Sequence, residues 1–403
     1  ISFDHHVRNP ADRRTYEVFG RPDLWWNGYD GVKVGVHFHG SYFRYKHQLW
    51  VTAWVNTGFG QALPGGGVDT RYDALSFNFR YESGTERILK GSSMYLHARH
   101  LDGLVQYGGG FRWRSLDDRT SFGTDLRYFV RRDSADLTYL LYPQEWEYNA
   151  LSGVLDLELR RAFDHAHGHG SVEGRLRLPA LGSAGFGESL RLTVTHDLRL
   201  GGLLLRARGV AQYGTGTGGR ETALFLAGAS PMEMMENKYV RSIGFVPNVW
   251  AGAYSDTPDH FHHGGGLNLR GYAGYVAPEL GPDGQVIATY RGNSGASINA
   301  ELDLDGLVRW RPKAIREYLH LDAYLFGDAG TMGYRTATDG PTDLRLADVR
   351  ADAGAGFAFT IKRWGPLTDL NPLTVRFDMP FVLSALPATE QEHVAFRYVV
   401  GIG

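Results

Sequence analysis

The chain has 403 residues, with 42 Lys and Arg against 44 Asp and Glu and a formal net charge of −2. This balance gives no global basic field, so the sequence argues against nucleic acid as a partner. Cysteine is absent, which excludes a disulfide framework, thiolate chemistry and zinc-thiolate sites. No linker or shift in composition divides the chain, so we predict one large architecture.

Short alternation of apolar and polar residues recurs along the whole chain. It is first clear from Val32 to Phe38 and returns over 190–200 and 296–305. A period of two residues indicates β-strands, and no apolar run is long enough for a membrane helix. Strands of about ten residues with charges on one face suit a wall between lipid and a wet lumen, as in a transmembrane β-barrel.

The alternation predicts sixteen strands, an even number typical of bacterial outer-membrane barrels. The fold class is therefore all-β, a transmembrane antiparallel barrel, with residues 1–30 as a periplasmic lead-in and 31–403 as the barrel. The predicted strands are 31–40, 47–57, 71–81, 92–101, 103–114, 121–130, 150–161, 171–178, 189–200, 202–213, 222–229, 296–305, 319–330, 349–361, 372–380 and 394–402.

Connections between these strands predict their direction. Asp102-Gly103 is a favoured two-residue hairpin turn, and it lies on the periplasmic side if the first predicted strand runs outward. The same phase makes residues 230–295 an extracellular loop between the eleventh and twelfth strands. A loop of this length is usually functional or disordered.

The long loop contains G-G-G-L-N-L-R-G-Y over residues 264–272, and the thirteenth predicted strand contains F-G-D-A-G over 326–330. Together they resemble the BamA-type superfamily of outer-membrane insertases and secretion transporters. In that family the sixth extracellular loop folds back into the barrel, and the arginine of its tip pairs with the acidic residue of an F-x-D-x-G motif. The closing P-L-T-V-R-F-D-M-P at 372–380 is also similar. The resemblance implies a loop lock made of Arg270, Gly271, Tyr272, Phe326, Asp328 and Gly330.

Physical chemistry supports such a pair independently of the family. A guanidinium in a narrow, partly dehydrated barrel needs a carboxylate, and the planar fork of Arg270 can bind both oxygens of Asp328. Gly271 would let the loop tip turn close to the wall. The alternative is that Arg-Gly-Tyr is an ordinary stretch of a surface loop.

The two ends of the chain depart from the family. Residues 1–30 are too few for the periplasmic receptor domains of insertases, and residues 400–403 lack a terminal aromatic. The stretch R-P-D-L-W-W-N-G-Y-D-G at 21–31 resembles the junction in fused envelope proteins, where a periplasmic zinc-aminopeptidase-like domain precedes the barrel. We therefore expect this chain to be the membrane part of something longer.

Histidine-rich and glycine-rich runs have simpler interpretations than ligand sites. Asp164-His165-x-His167-x-His169 is interpreted as a solvated hairpin, with metal binding as the alternative. Lumen hydrogen bonding is favoured over ligation for the histidines at 260, 262 and 263. The literal dinucleotide fingerprint at 214–219 lacks a following helix and is interpreted as a flexible turn.

The inward carboxylates Asp303, Asp305, Asp322 and Asp328 fit a polar barrel lining better than acid/base catalysis. The basic and aromatic segment at 309–318 is interpreted as an anchor at the membrane interface, near the lipid headgroups. The more specific alternative is a docking site for a partner. No H-E-x-x-H and no nucleophile with a base at a recognisable spacing occur. The chain is therefore expected to be no enzyme and to need no cofactor.

Two functions of different classes follow from these observations. The first is an outer-membrane translocator or anchoring barrel that contacts outer-membrane lipid and serves an upstream periplasmic domain or protein partner. The second is a diffusion porin in which the long loop is only a constriction.

Overall fold

The computed structural model describes most of the predicted strands and parts of the connections. The described residues are 2–3, 14–27, 30–43, 46–60, 73–101, 103–131, 149–183, 187–215, 220–228, 230, 232–233, 241–244, 265–273, 279–280, 286–289, 293–305, 307, 317–336, 345–364, 372–386 and 392–402.

Sixteen strands follow one another in a single antiparallel order, each hydrogen-bonded to the next along the chain. They are β1 (Tyr16–Asn27), β2 (Gly31–Tyr42), β3 (Lys46–Asn56), β4 (Leu75–Gly84), β5 (Ser92–Leu101), β6 (Leu104–Arg114), β7 (Thr120–Arg131), β8 (Leu151–His165), β9 (Gly168–Pro179), β10 (Ser189–Leu200), β11 (Leu203–Gly214), β12 (Gly295–Asp303), β13 (Leu319–Thr336), β14 (Arg350–Ile361), β15 (Leu373–Leu383) and β16 (Val399–Ile402).

Several shorter strands pair with the strands of this sheet or with one another. Ser2–Phe3 pairs in parallel with β1, and Arg241–Gly244 pairs with β16 on the side away from β15. Val286–Thr289 pairs with Glu279–Leu280 and with the end of β13, which also pairs with Arg345–Leu346. Two short 3₁₀ turns are described, at Arg220–Thr222 and Arg270–Tyr272.

The first strand was not predicted. β1 lies within residues 1–30, so the predicted boundary at residue 31 is wrong and the sheet begins at Tyr16. Pro22 interrupts the alternation in sequence. It is tolerated because, on the side of β1 that faces away from β2, the only described partner is the two-residue strand Ser2–Phe3. An edge strand does not need every backbone N–H in its ladder.

The predicted strand 222–229 is also wrong. After the turn at Arg220–Thr222 this segment lies inside the curved sheet, and it is hydrogen-bonded to another part of the long connection. The amides of Leu267 and Leu269 donate to the carbonyls of Phe225 and Leu226, at 2.9 and 3.0 Å. Its apolar alternation reflects packing inside the barrel, which periodicity alone cannot distinguish from a strand of the wall.

These two errors cancel in the count, so the described residues contain sixteen consecutively paired strands and β13 is still the thirteenth. They do not cancel for direction. Strand order places the turn between β5 and β6, which includes Gly103, at the same end as the connection from β11 to β12. We call this the loop end and the other the turn end. The prediction that this turn lies at the end opposite the long loop is therefore wrong.

The last predicted strand is shorter than expected. Only Val399–Ile402 forms a strand in the region predicted at 394–402, while Val394 makes a single bridge to Val382. The predicted loop after residue 161 is likewise mostly strand, because β8 continues to His165 and β9 starts at Gly168.

The distribution of side chains is reversed relative to a water-soluble protein. Large apolar residues such as Leu96, Leu190 and Ile298 are at least 59% exposed on the outer face. Charged residues including Asp156 and Asp378 are buried on the inner face. Apolar surface of this extent is stable only against lipid or a partner, so the outer face contacts the membrane.

The sheet curves around parts of the long connection. One buried apolar cluster joins Met232 to side chains from β3 to β8, and another joins Leu267 and Leu269 to side chains from β11, β13 and β15. Strands far apart in the sheet therefore face the same inner segment. None of the described helical segments is long and apolar enough to cross a membrane. The predicted all-β, antiparallel architecture with part of the long loop inside it is confirmed.

Candidate functional site

The candidate site is the part of the long connection that lies inside the sheet. Residues 265–273 form a short segment whose residues are buried except for Asn268, which is half-buried. The segment ends in the 3₁₀ turn of Arg270, Gly271 and Tyr272. The structure therefore places the predicted Arg-Gly-Tyr tip against the inner wall.

Arg270 binds Asp328 of β13 through two nitrogens on one edge of its guanidinium. Its Nε lies 2.8 Å from Oδ2 of Asp328, and its Nη2 lies 2.9 Å from Oδ1. The backbone N–H of Arg270 also donates to Oδ2, at 3.2 Å. This bidentate geometry fixes the direction of the guanidinium as well as its position. The side chain of Arg270 is 4% exposed and that of Asp328 is fully buried.

Strand phase explains why Phe326 and Asp328 face the same way. Even-numbered residues of β13 point inward, as Tyr324 and Asp328 show by their burial, whereas Leu321 and Leu325 are exposed on the outer face. The guanidinium of Arg270 stacks over the Phe326 ring, with its Cζ 3.9 Å from the ring centroid. Phe326 therefore covers one face of the cation while Asp328 binds its edge.

Further charged residues complete the cluster. Glu301 of β12 accepts a hydrogen bond from Nη1 of Arg270 at 2.8 Å and another from Nη2 of Arg376 at 2.6 Å. Asp378 of β15 lies 3.5 Å from Arg270 and accepts a hydrogen bond from the Tyr324 hydroxyl at 2.8 Å. One loop residue is thus joined to strands β12, β13 and β15.

Asp352 adds a fourth carboxylate. It stands directly opposite Asp328 in the β13–β14 register and is buried. Four carboxylates (Asp328, Glu301, Asp378 and Asp352) therefore surround the two guanidiniums of Arg270 and Arg376. The arginine of the loop supplies buried positive charge that pairs with Asp328 and Glu301, and a buried charge left unpaired is costly.

The backbone before the tip is held by polar wall residues. The Asn299 amide donates to the carbonyl of Asn268 at 2.9 Å and to Oδ1 of Asp328 at 3.1 Å. Arg208 donates to the carbonyl of Gly266 at 2.8 Å and to Oδ1 of Asn299 at 3.0 Å. These contacts satisfy loop carbonyls that would otherwise be buried without a partner.

The glycines at the contact make room for the loop. A Cβ added at Gly271 would lie 2.6 Å from the side chains of Asp352 and Leu383. A Cβ added at Gly330 would lie 2.6 Å from the Ala296 carbonyl and 3.0 Å from Leu269. Both positions are close approaches between loop and wall, and neither leaves space for a larger residue.

Tyr272 anchors the far side of the tip. It is fully buried in the apolar cluster with Leu269 and Leu383, and its hydroxyl donates to the Ala385 carbonyl at 3.0 Å. The amide of Ala385 in turn donates to that hydroxyl at 3.2 Å. The tip is therefore bound to the connection that follows β15 as well as to the wall.

The structure brings together the predicted residues Arg270, Gly271, Tyr272, Phe326, Asp328 and Gly330. Sequence reasoning did not place Glu301, Asn299, Tyr324 or Asp352 in this site. Arg376 and Asp378 were noticed only as part of a motif near the end of the chain. The alternation in sequence does place all of these residues on the inward face of predicted strands. It cannot show which of the many inward-facing residues contact one another.

The other sequence motifs do not join this site. His165 points outward, where its Nε2 lies 2.8 Å from Nε2 of His196, whereas His169 points inward towards Asp197 at 3.6 Å. The histidine run is thus split between two faces of the sheet and cannot act as one set of donors. The histidines at 260, 262 and 263, the basic segment at 309–316, and the glycines at 216 and 219 lie outside the described residues.

A cavity of about 820 Å³ opens on another part of the inner face, towards the turn end. Its lining includes Tyr95, Arg112, Glu158 and Arg175, and it mixes acidic, basic and aromatic residues. Loop packing therefore fills the lumen beside β11 to β15, and a polar cavity remains beside β4 to β9.

Comparison with known proteins identifies similar folds. No protein-family profile and no curated protein matches the sequence. Among solved structures, the chain is similar to BamA from Haemophilus ducreyi lacking POTRA domains 1-3 (TM-score 0.47, 14% identity, 97% of this chain and 71% of that one). It is also similar to CdiB from Escherichia coli (0.49, 11%, 96% and 62%) and to a BenF-like porin from Pseudomonas fluorescens (0.41, 11%, 92% and 76%). These are bacterial outer-membrane β-barrels.

Proposed function

We propose that this chain is the membrane barrel of a translocator or anchored envelope protein of the BamA-like superfamily, with residues 265–273 locked against the inner wall. The observation that carries the proposal is the bidentate pair between Arg270 and Asp328, reinforced by Glu301. A surface loop has no need for a buried cation with three carboxylates around it.

The role of the lock is to hold a plug in place. Leu267, Leu269 and Tyr272 are fully buried against the wall, so the segment fills part of the lumen through apolar packing as well as charge. A barrel filled in this way is suited to guiding or anchoring a polypeptide and is poorly suited to free diffusion of solutes. The chemistry of the lining is accounted for by packing and ion pairing, so we propose no catalysis by this chain.

The second candidate function is a diffusion porin. The polar cavity of about 820 Å³ beside β4 to β9 favours it, because an open, charged passage is what a porin needs. In that case the Arg270 segment would be a constriction at one side of an otherwise continuous channel.

Electrical conductance in planar lipid bilayers separates the two functions. We expect the full chain to give small, unstable currents and Arg270→Ala to give larger ones, because the plug is released. Large, steady currents from the unchanged chain would favour the porin and contradict the plug. Arg80→Ala serves as a control, because Arg80 is an inner-face arginine paired with Glu82 of its own strand.

An upstream partner is the second part of the proposal. We propose that a periplasmic domain or protein lies at the turn end, next to the start of β1 at Tyr16. Cross-linking from the turn end in intact cells, compared with cross-linking from the outer face, tests this. Products that form equally from both positions would argue against a partner at the turn end.

A further inference from the structure

A second cluster of chemistry-bearing side chains lies at the turn end, away from the loop lock. Asp305 follows β12 in the connection to β13, and His320 and Asp322 lie at the start of β13. One ligand atom from each of the three lies within 4.8 Å of the others. Two of the three residues lie on β13 and the third lies just after the end of the adjacent strand β12, so the wall positions the cluster.

The strand geometry fixes their direction. His320 and Asp322 are two residues apart, so they share the inward face of β13. The Nε2 of His320 lies 2.7 Å from Oδ1 of Asp322. Register pairs Asp303 with Tyr324, and the amide of Leu304 donates to the Ala323 carbonyl, which carries Asp305 to the level of Asp322.

The charges around the cluster favour a cation. Asp303 accepts the amide of Asp305 at 2.8 Å and pairs with Arg206 at 3.1 Å. Arg206 also lies 3.6 Å from Glu301, so its charge is shared between two carboxylates. Asp305 and Asp322 add two more carboxylates beside the imidazole of His320. Among the described residues, the four carboxylates named here outnumber the single guanidinium of Arg206.

We propose that Asp305, His320 and Asp322 bind one divalent metal ion of the Zn²⁺ class at the turn-end mouth of the lumen. One imidazole nitrogen with two carboxylate oxygens is a ligand set that suits zinc and its neighbours. Tetrahedral zinc places its ligands roughly 3.4 Å apart, so the 2.7 Å contact between His320 and Asp322 needs only a slight opening. A fourth position remains for water.

Access and rigidity both suit a site of this kind. The side chains of His320 and Asp322 are 20% and 16% exposed, so an ion can enter from the lumen mouth. β13 is paired with β14 at His320 and Asp322, and its pairing with β12 begins at Tyr324, which keeps two of the ligands on a fixed strand. The role we assign is to tie the connection after β12 to the start of β13.

The chain offers a matched control. His100 and Asp73 form the same kind of pair, with Nε2 of His100 2.8 Å from Oδ2 of Asp73 and comparable exposure. No third ligand of the required type joins this pair among the described residues. A His–Asp contact that is only a hydrogen bond should therefore behave alike at both places, whereas a metal site should be found only at His320.

The test is calorimetric titration of ZnCl₂ into the full chain, without a histidine tag, refolded in detergent and cleared of metal with chelator. We expect one ion per chain. Since changes outside the ligand shell alone weaken metal affinity by about 10–100-fold, we expect His320→Ala and Asp322→Asn each to weaken it by at least about tenfold. His100→Ala should leave the affinity unchanged.

Each outcome decides the proposal. Absence of saturable binding by the unchanged chain overturns it, and so does an equal loss in His100→Ala. If His320→Ala fails to refold, judged by heat-modifiable migration on a gel, Asp322→Asn decides alone. Arg270→Ala should bind zinc normally, so a failure of the loop lock and a failure of the metal site are distinguishable.

Discussion

Two parts of the inner wall use the same chemistry for different ends. At one, Arg270 stacks over Phe326 at 3.9 Å and pairs with Asp328 at 2.8 Å. At the other, Arg80 stacks over Tyr95 at 4.2 Å and pairs with Glu82 at 2.6 Å. Arg80 and Glu82 are two residues apart on one strand, whereas Arg270 and Asp328 are separated by 58 residues.

Sequence separation and burial explain the difference. The Arg80–Glu82 side chains are each 20% exposed and lie beside the polar cavity, where water screens the pair. Arg270 and Asp328 are almost completely buried, and their pair joins a loop to the wall. The partly exposed Arg80–Glu82 pair joins residues of one strand, whereas the buried Arg270–Asp328 pair fixes the loop segment against the wall.

The largest expected effect comes from breaking the buried pair. Arg270→Ala leaves Asp328 buried without its cation, so we expect a loss of about 3–5 kcal/mol in the free energy of unfolding. Arg80→Ala should cost no more than about 1 kcal/mol. Denaturant titration in detergent, followed by tryptophan fluorescence, measures both. Equal losses would show that the two pairs are equivalent.

The apolar part of the plug gives the next largest effect. Leu269 is fully buried between loop and wall, so Leu269→Ala should cost about 2–5 kcal/mol through lost burial and a residual cavity. Leu190→Ala is the control, because Leu190 is 59% exposed on the outer face. Protection of the loop from added protease should fall in the first variant only. Unchanged protection would mean that the segment does not depend on this packing.

Gly271 tests the closeness of loop and wall. Gly271→Ala forces a Cβ to within 2.6 Å of Asp352 and Leu383, and we expect overpacking to cost about 1–3 kcal/mol. Gly209→Ala is matched to it, because nothing lies within 4 Å of a Cβ added at Gly209. The two variants are compared by their unfolding midpoints. A Gly271 variant as stable as the Gly209 variant would contradict the close approach.

The smallest effect belongs to the tyrosine hydroxyl. Tyr272→Phe removes its hydrogen bonds with Ala385 and should cost about 0.5–1.5 kcal/mol. Tyr213→Phe, on an exposed ring, should have no measurable effect. Amide hydrogen exchange at Ala385 gives a local measurement, and we expect faster exchange only in Tyr272→Phe. Exchange that is slow in both would show that the hydroxyl is not a partner of this amide.

Predicting the fold from sequence succeeded where alternation was regular. The strands around 92–101, 189–200 and 350–361 were located within a few residues. β1 was missed because Pro22 and the aromatic stretch after it broke the pattern, and 222–229 was mistaken for a strand because packing inside the barrel also alternates. Both errors arise because alternation of apolar and polar residues indicates which side chains are buried. It does not indicate which segment the backbone is hydrogen-bonded to.

The sequence by itself determined the class of fold, the polar lining, the motif Arg270-Gly271-Tyr272 and the partner strand that carries Phe326 and Asp328. The class of fold and the polar lining follow from strand period and residue chemistry, whereas the motif and its partner strand follow from the resemblance to the BamA-type superfamily. Only the tertiary structure decided that Glu301 joins the same cluster and that Asp305 meets His320. Those contacts depend on how the strands curve around one lumen, and no local pattern in the chain specifies which inward side chains then face each other.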